Sequence, residues 1–113
     1  MLFTGVTTTF LKEFLFGVWL TLPLLLTLAA IVTVIGQLVG RKEGWSAFDS
    51  FYWSFITATT VGYGDMRPTN KTSRILSVMI ALIGLTLTGI LVAVAVHAAT
   101  IALAAHDAAI KTR

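Results

Sequence analysis

The chain has 113 residues, of which 57 % are hydrophobic and only 12 % charged, with a mean hydropathy of +0.90. A soluble domain is close to half apolar and about a quarter charged, so this composition excludes an ordinary water-soluble domain and belongs in a bilayer. The net charge of +3 comes from eight scattered basic residues without the dense basic face of a nucleic-acid binder, and the absence of cysteine excludes disulfides and thiolate chemistry.

Residues 1–13 mix Phe3, Phe10 and Leu11 with threonines and a Lys12–Glu13 pair, a pattern that predicts a segment lying along the membrane interface. Residues 14–39 carry no Asp, Glu, Lys or Arg. A spanning helix needs about 20 apolar residues, so this stretch predicts the outer transmembrane helix. It is too long for the apolar core of a cleavable signal peptide. Pro23 inside it is expected to kink the helix or leave the Trp19 carbonyl unpaired, a defect that neighbouring packing absorbs in membranes. Arg41, Lys42, Glu43 and Gly44 form a polar turn.

Ser46 to Asp49 resembles a capping box, with Asp49 in place of the usual Glu or Gln. The aromatic and apolar run that follows, with Phe48, Phe51, Tyr52, Trp53, Phe55 and Ile56, predicts a helix over 46–59. At roughly 20 Å it is too short to cross a bilayer. It can enter only partway, and the chain must return as non-helical backbone through residues 60–65. Such backbone is tolerated at membrane depth only when buried in protein or lining a water-filled path. Thr72 or Ser73 is expected to cap an inner helix over 73–107. The charge-free part of that helix, residues 75–105, would be about 46 Å long against a hydrocarbon core of about 30 Å, so it tilts, bends or projects into water. The fold class is therefore an all-α membrane protein, with two transmembrane helices and a re-entrant pore helix and loop between them.

The loop reads Thr60-Val61-Gly62-Tyr63-Gly64-Asp65. An ion entering a narrow path loses its water, and oxygen ligands must replace it at similar cost. Alternating right- and left-handed backbone turns successive carbonyls to one side, and glycine takes the left-handed conformation without steric penalty. Gly62 and Gly64 suit that role. Thr60 adds a hydroxyl below the ladder, and Val61 and Tyr63 are expected to point away from the ions and brace the strand against the short helix. That helix aims its C-terminal end, with about half a negative charge, toward the path.

These residues resemble the pore loop of tetrameric potassium channels, specifically the bacterial type with two spans per subunit. Tyr52-Trp53 resembles the paired aromatics of that pore helix, and Thr59-Thr60 the threonines that open its filter. Pro68 and Arg74 fall where family members often have them, and Gly84 falls at the inner-helix hinge. The resemblance covers roughly residues 46–96. It implies a potassium-selective pore subunit of a homotetramer in the plasma membrane, here a bacterial inner membrane, conducting K+ passively without a cofactor. Thr60, Val61, Gly62, Tyr63 and Gly64 are the implied filter, with K+ held at Thr60, Val61, Gly62 and Tyr63. Tyr52, Trp53 and Asp65 are the implied support. Leu85, Thr88, Val92 and Val96 are expected to line the cavity and inner mouth with Gly84, which serves as a hinge, a close packing point, or both. A cytoplasmic regulatory domain would lie outside this chain.

Two departures stand out. Ile56 sits where some family members carry a glutamate bonded to the aspartate after the filter, so Asp65 needs another partner, and the Tyr52 hydroxyl is the natural one. Arg41, Lys42, Arg67, Lys71 and Arg74 would face the exterior against Lys12, Lys111 and Arg113 inside, which opposes the positive-inside rule. Among the remaining residues, Gly89 and Ala93 form a small pair suited to helix packing. His97, an ionisable residue inside a span, is weighed as a proton sensor against a packed histidine, and His106 is expected in the cytoplasm. Asp49 reads as a cap, and Trp19 and Trp45 as interfacial anchors. The rival functions are a cation-transporter subunit, which normally carries four such loops in one longer chain, and a non-conducting membrane assembly module, which leaves the filter string unexplained. An enzyme reading has no nucleophile-and-base pair or phosphate loop to rest on.

Overall fold

A computed structural model describes residues 2–112, with side chains from Thr4 onward. Met1 and Arg113, and the side chain of Phe3, which belong to the expected interfacial segment and inner charges, lie outside the described residues. Three helices follow in order: α1 (Leu2–Glu43), α2 (Ala47–Ala58) and α3 (Lys71–Lys111). The chain divides into two compact units, one of Leu24–Thr88 and the other of the first part of α1, up to Pro23, with the last part of α3, from Gly89. Both long helices are apolar enough to cross a membrane. Most of their large apolar side chains stay exposed, among them Leu15, Phe16, Leu20, Leu82 and Leu103. The core helix of a soluble protein would bury them. This is a membrane protein.

The helix boundaries differ from the sequence expectation at several places, and α3 runs on to Lys111 where the expected helix ends at 107. Residues 2–13 are not a separate interfacial segment but the first turns of α1. Thr8 Oγ1 donates to the Thr4 carbonyl four residues earlier at 2.6 Å, and Phe10 stacks on Phe14 with ring centroids 5.7 Å apart. Both are contacts that a continuous helix provides. α1 also passes through Pro23 and includes Arg41, Lys42 and Glu43 of the expected polar turn. It stops where Gly44 takes φ 75° and the Trp45 amide reaches back to the Gly40 carbonyl at 2.9 Å, the left-handed glycine stop of many helices. α3 begins at Lys71, not Ser73, because Asn70 is the cap: its Oδ1 accepts from the Thr72 amide at 3.0 Å. Thr72 and Ser73 therefore sit inside the first turn.

α2 starts at its expected cap. The Ser46 hydroxyl accepts from the Asp49 amide at 3.1 Å, and Asp49 in the first turn suits the positive end of the helix dipole. Within the unit Leu24–Thr88, α2 is packed against both long helices. Val32 and Val39 of α1, Trp53 and Ala58 of α2 and Ile80 of α3 form the buried core, with Trp45 and Met66 against it. Trp45 is thus a packing partner, its ring 5.3 Å from that of Trp53, whereas Trp19 is exposed as an anchor would be.

Three glycines let α2 come close. A Cβ on Gly36 or Gly40 of α1 would overlap the hydroxyl of Ser54 or Ser50, and a Cβ on Gly84 of α3 would overlap the Ala58 carbonyl oxygen. Gly84 therefore has a packing reason to be glycine. Gly89 faces open space, so the expected small pair with Ala93 makes no close helix contact inside one chain. In the other unit, a Cβ on Gly17 would lie 2.6 Å from Val94 Cγ1.

Gly84→Ala is expected to destabilise the protein by about 1–3 kcal/mol, because its obstacle is backbone that cannot rotate away. Thermal unfolding in detergent followed by tryptophan fluorescence checks this, and an unchanged midpoint would show that the contact is slack.

Candidate functional site

The loop that follows α2 has the alternation that its glycines suggest, with one addition. Gly62 has φ 52° and Gly64 φ 79°, and Thr60 has φ 65° as well. Left-handed residues thus recur at 60, 62 and 64, which turns successive carbonyls toward one side. Thr60 is the only positive-φ residue other than glycine among the described residues, and such a conformation costs a β-branched side chain of order 1 kcal/mol or more. Local hydrogen bonds offset that cost. The Thr60 amide donates to the Thr57 carbonyl at 3.1 Å and the Gly62 amide to the Ile56 carbonyl at 3.1 Å. The Thr60 hydroxyl donates to the Thr59 carbonyl at 2.6 Å, leaving its oxygen lone pairs available to a cation.

These bonds also finish α2. Its C-cap Thr59 gives both its amide and its hydroxyl to the Phe55 carbonyl. The terminal carbonyls of Phe55, Ile56 and Thr57 are therefore satisfied by the loop itself, while the helix dipole still presents its negative end to the loop.

The outer end of the loop is held by charge. Arg67 Nε donates to the Gly64 carbonyl at 3.2 Å, so this carbonyl, counted among the filter oxygens from sequence, is engaged by a guanidinium in the single chain. Arg74 Nε donates to the Pro68 carbonyl at 3.3 Å. Tyr52, which lies on the short helix and not on either span, has its hydroxyl pushed above the usual phenol range. Burial is the largest cause, followed by the negative charge of Asp65 and a hydrogen bond to it. The partner that Asp65 needs in place of a glutamate at Ile56 is thus within reach at Tyr52, and the phenol stays a neutral donor beyond its ordinary pKa of 10.0.

Sequence reasoning passed over Glu43, which it placed in a simple turn. Its carboxylate accepts from the Thr69 amide at 2.7 Å, the Thr69 hydroxyl at 2.8 Å and the Asn70 amide at 2.9 Å. The end of α1 is thereby tied to the cap of α3. The Asn70 amide contributes most to holding the Glu43 carboxyl below its usual 4.5, partial burial opposes it, and the Thr69 groups and Ser73 add to the lowering. The Ser73 hydroxyl is buried beside it without a bond of ordinary geometry. A signal existed in the acid placed at a helix end, where a negative charge is unfavourable unless an adjoining helix N-terminus takes it.

Other expected site residues are brought to the loop or not. Trp53 is buried behind it, at 5 % exposure. Val61 and Tyr63 do not brace against the short helix: they are 50 % and 70 % exposed, and a cavity of about 420 Å³ opens behind the loop, lined by Trp53, Thr57, Arg67 and Arg74 among others. One chain lacks the mass to back this loop. Leu85, Val92 and Val96 are exposed on α3, and with Thr88 their spacing of three and four residues places them along one face of that helix. His97 belongs to the other unit, where it lines an apolar cavity of about 340 Å³ with Gly17, Leu20, Thr21 and Val94. His106 is half-buried beside Gly5 and Thr9 rather than free in solvent.

A family profile described as "Ion channel" matches residues 2–100. The chain is similar to TWiK family of potassium channels protein 7 of Caenorhabditis elegans, 40 % identical over 70 residues, which cover 59 % of this chain and 13 % of that protein. It is 31 % identical over 78 residues to Two pore potassium channel a of Oryza sativa subsp. japonica, covering 69 % and 22 %. It is 40 % identical over 40 residues to a voltage-gated potassium channel of Aeropyrum pernix, covering 35 % and 14 %. The chain therefore spans less than a quarter of the length of these relatives. No solved structure matches it at comparable significance.

The Glu43 clamp sets a pH dependence. A carboxyl held low when folded contributes stability that is present above its unfolded pKa, near 4.5, and is lost as pH falls through the lower folded value. Wild-type thermal stability is expected to hold from neutral pH to about 4.5 and to decline below it, while Glu43→Gln starts lower at neutral pH and shows a shallower decline. Parallel curves for the two proteins would remove Glu43 from the account.

Proposed function

The chain belongs to this ion-channel family, and on that footing we propose that it is the pore-forming subunit of a potassium channel, conducting K+ passively through the backbone carbonyls of residues 60–64. The observation that carries the reading is the left-handed alternation at Thr60, Gly62 and Gly64 on a loop hydrogen-bonded to the end of a short helix. Such a strand offers a row of carbonyl oxygens to a cation that has shed its water. The negative end of α2 lowers the energy of a cation approaching from below. Thr60 through Tyr63 supply the K+ ligands in this proposal, and K+ is the permeant ion, with no resident cofactor.

One chain supplies one strand, and a filter of this kind uses four. A homotetramer in the bilayer follows, with the ion path on its axis. The exposure of Val61 and Tyr63 supports it, because apolar and aromatic surface of that kind at a functional loop marks a contact with another chain. Tyr63 then braces the filter from a neighbouring subunit rather than from its own. Leu85, Thr88, Val92 and Val96 line the cavity and inner mouth, with Gly84 packed against Ala58 at its upper end, and a ring of valines closes a pore by excluding water. The Tyr52–Asp65 pair stiffens the outer end of the filter. A plasma-membrane location, in a bacterium the inner membrane, completes the proposal.

Purified protein in liposomes under mixed potassium and sodium is expected to reverse near the potassium potential, and equal permeation of sodium would sink the selectivity claim. Tyr63→Asp is expected to lower the K+ over Na+ permeability ratio by about tenfold or more, since it exchanges a bracing ring for a charge. Tyr52→Phe is expected to leave tetramer assembly intact but to hasten inactivation and lower ion occupancy. Unchanged behaviour in both would leave Asp65 without a role for Tyr52.

A further inference from the structure

α2 is held against α1 by two contacts that leave no room for one added carbon. A methyl on Gly36 would overlap the Ser54 hydroxyl, and it would lie 2.7 Å from the Ser54 Cβ and 3.3 Å from the Ser50 carbonyl oxygen. A methyl on Gly40 would overlap the Ser50 hydroxyl and lie 2.7 Å from the Ser50 Cβ. Both serines are buried. Each donates its proton within α2, Ser50 to the Ser46 carbonyl at 2.8 Å and Ser54 to the Ser50 carbonyl at 2.6 Å. The glycines thus meet side chains whose protons are already committed, and the fit is one of shape. Gly36 meets Ser54 and Gly40 meets Ser50, so the two helices run antiparallel here, with one turn between contacts on each. Two such points fix both the depth of α2 and its tilt.

From these contacts α2 continues unbroken to the turn that holds the filter. Ser54 lies two residues before Ile56, whose carbonyl receives the Gly62 amide, and three before Thr57, whose carbonyl receives the Thr60 amide. At its C-terminal end α2 is pinned a third time, by Gly84 against the Ala58 backbone. A helix pushed off α1 near Ser50 and Ser54 but pinned at Ala58 has to tilt, and its terminal carbonyls carry the filter amides with them.

We infer that Gly36 and Gly40 are positioning residues for the filter, whose contact with Ser54 and Ser50 sets where α2 holds the carbonyl ladder and so sets ion selectivity as well as stability. The inference rests on the potassium-channel reading above. Rotating a serine hydroxyl relieves the overlap with Oγ but not the 2.7 Å approach to Cβ. Restoring an ordinary carbon–carbon separation of about 3.5–4.0 Å needs a shift of roughly 1 Å. With Ala58 as the pivot, roughly half of that shift reaches Ile56, on the order of the 0.5 Å that a preorganised site tolerates.

The test compares wild type, Gly36→Ala, and Gly36→Ala combined with either Ser54→Gly or Ser54→Ala, all reconstituted in liposomes and measured for K+ over Na+ permeability ratio. Gly36→Ala is expected to lower the ratio by about tenfold, and Ser54→Gly, which removes the two Ser54 atoms that the new methyl would overlap and leaves only the looser 3.3 Å approach to the Ser50 carbonyl oxygen, to bring it back within about twofold of wild type. Ser54→Ala keeps the Cβ, so that combination is expected to stay low. A wild-type ratio in Gly36→Ala, or a double variant with Ser54→Gly no more selective than the single, overturns the inference. If Gly36→Ala alone does not assemble, the Ser54→Gly combination decides: regained assembly with selectivity supports the inference, and regained assembly without it, or none, overturns it. A wild-type protein passing sodium as freely as potassium overturns the channel reading itself and the inference with it, and this shows before any substitution is made.

Discussion

Backbone from Thr60 to Asp65 belongs to no helix or sheet, so its polar groups have to be held one at a time. At membrane depth an unheld amide or carbonyl costs several kcal/mol. The bond from the Gly62 amide to the Ile56 carbonyl, with that from Thr60 to Thr57, ties the middle of the loop to the last turn of α2. Much of the surrounding structure keeps that turn in place. Trp53 and Ala58 fasten it to the core, Gly36 and Gly40 let α1 close on the Ser54 and Ser50 side chains, and Gly84 lets α3 close on the Ala58 backbone. The Glu43 carboxylate closes the frame by joining the end of α1 to the cap of α3 just after the loop.

The same frame accounts for charges that look misplaced in the sequence. Five basic residues that the proposed orientation places outside oppose the usual bias toward the cytoplasm, but four of them have local work. Arg41 and Lys42 occupy the last turn of α1, where the helix dipole favours cations. Arg67 and Arg74 donate to the carbonyls of Gly64 and Pro68, which would otherwise end an irregular loop without donors. Placement by local chemistry outweighs the statistical rule here.

Much of the fold was legible because its signals are compositional. Two charge-free stretches predict spans, and a run of aromatics too short to cross predicts a half-helix, whose cap at Ser46 is where the pattern puts it. The ends of the long helices were not legible. Threonines in residues 4–9 read as interfacial, yet they lie in a helix where the Thr8 hydroxyl bonds to the Thr4 carbonyl, and Asn70 competes with Thr72 and Ser73 for a cap that any of the three side chains can form. At the site, the two glycines announced left-handed backbone, whereas Thr60 gave no sign of it, because a β-branched residue adopts that conformation only when its surroundings impose it. Gly36 and Gly40, spaced four apart on α1, were a readable signal of close approach, but their partners on α2 are serines that look like ordinary polar residues. Bracing of Val61 and Tyr63 was misplaced for a different reason. In the proposed tetramer it comes from a second copy of the chain, and no pattern within one copy specifies what a neighbour covers.

The central claim is that the carbonyls of Thr60 through Tyr63, turned to one side by the alternating backbone, are themselves the ligands of a dehydrated potassium ion. Anomalous diffraction from crystals grown with thallium or rubidium in place of potassium tests it most directly. The expected result is a column of ion peaks on a fourfold axis, each within bonding distance of these carbonyl oxygens. Peaks only beside carboxylates such as Asp65, or an axis without peaks between the carbonyls, would contradict it.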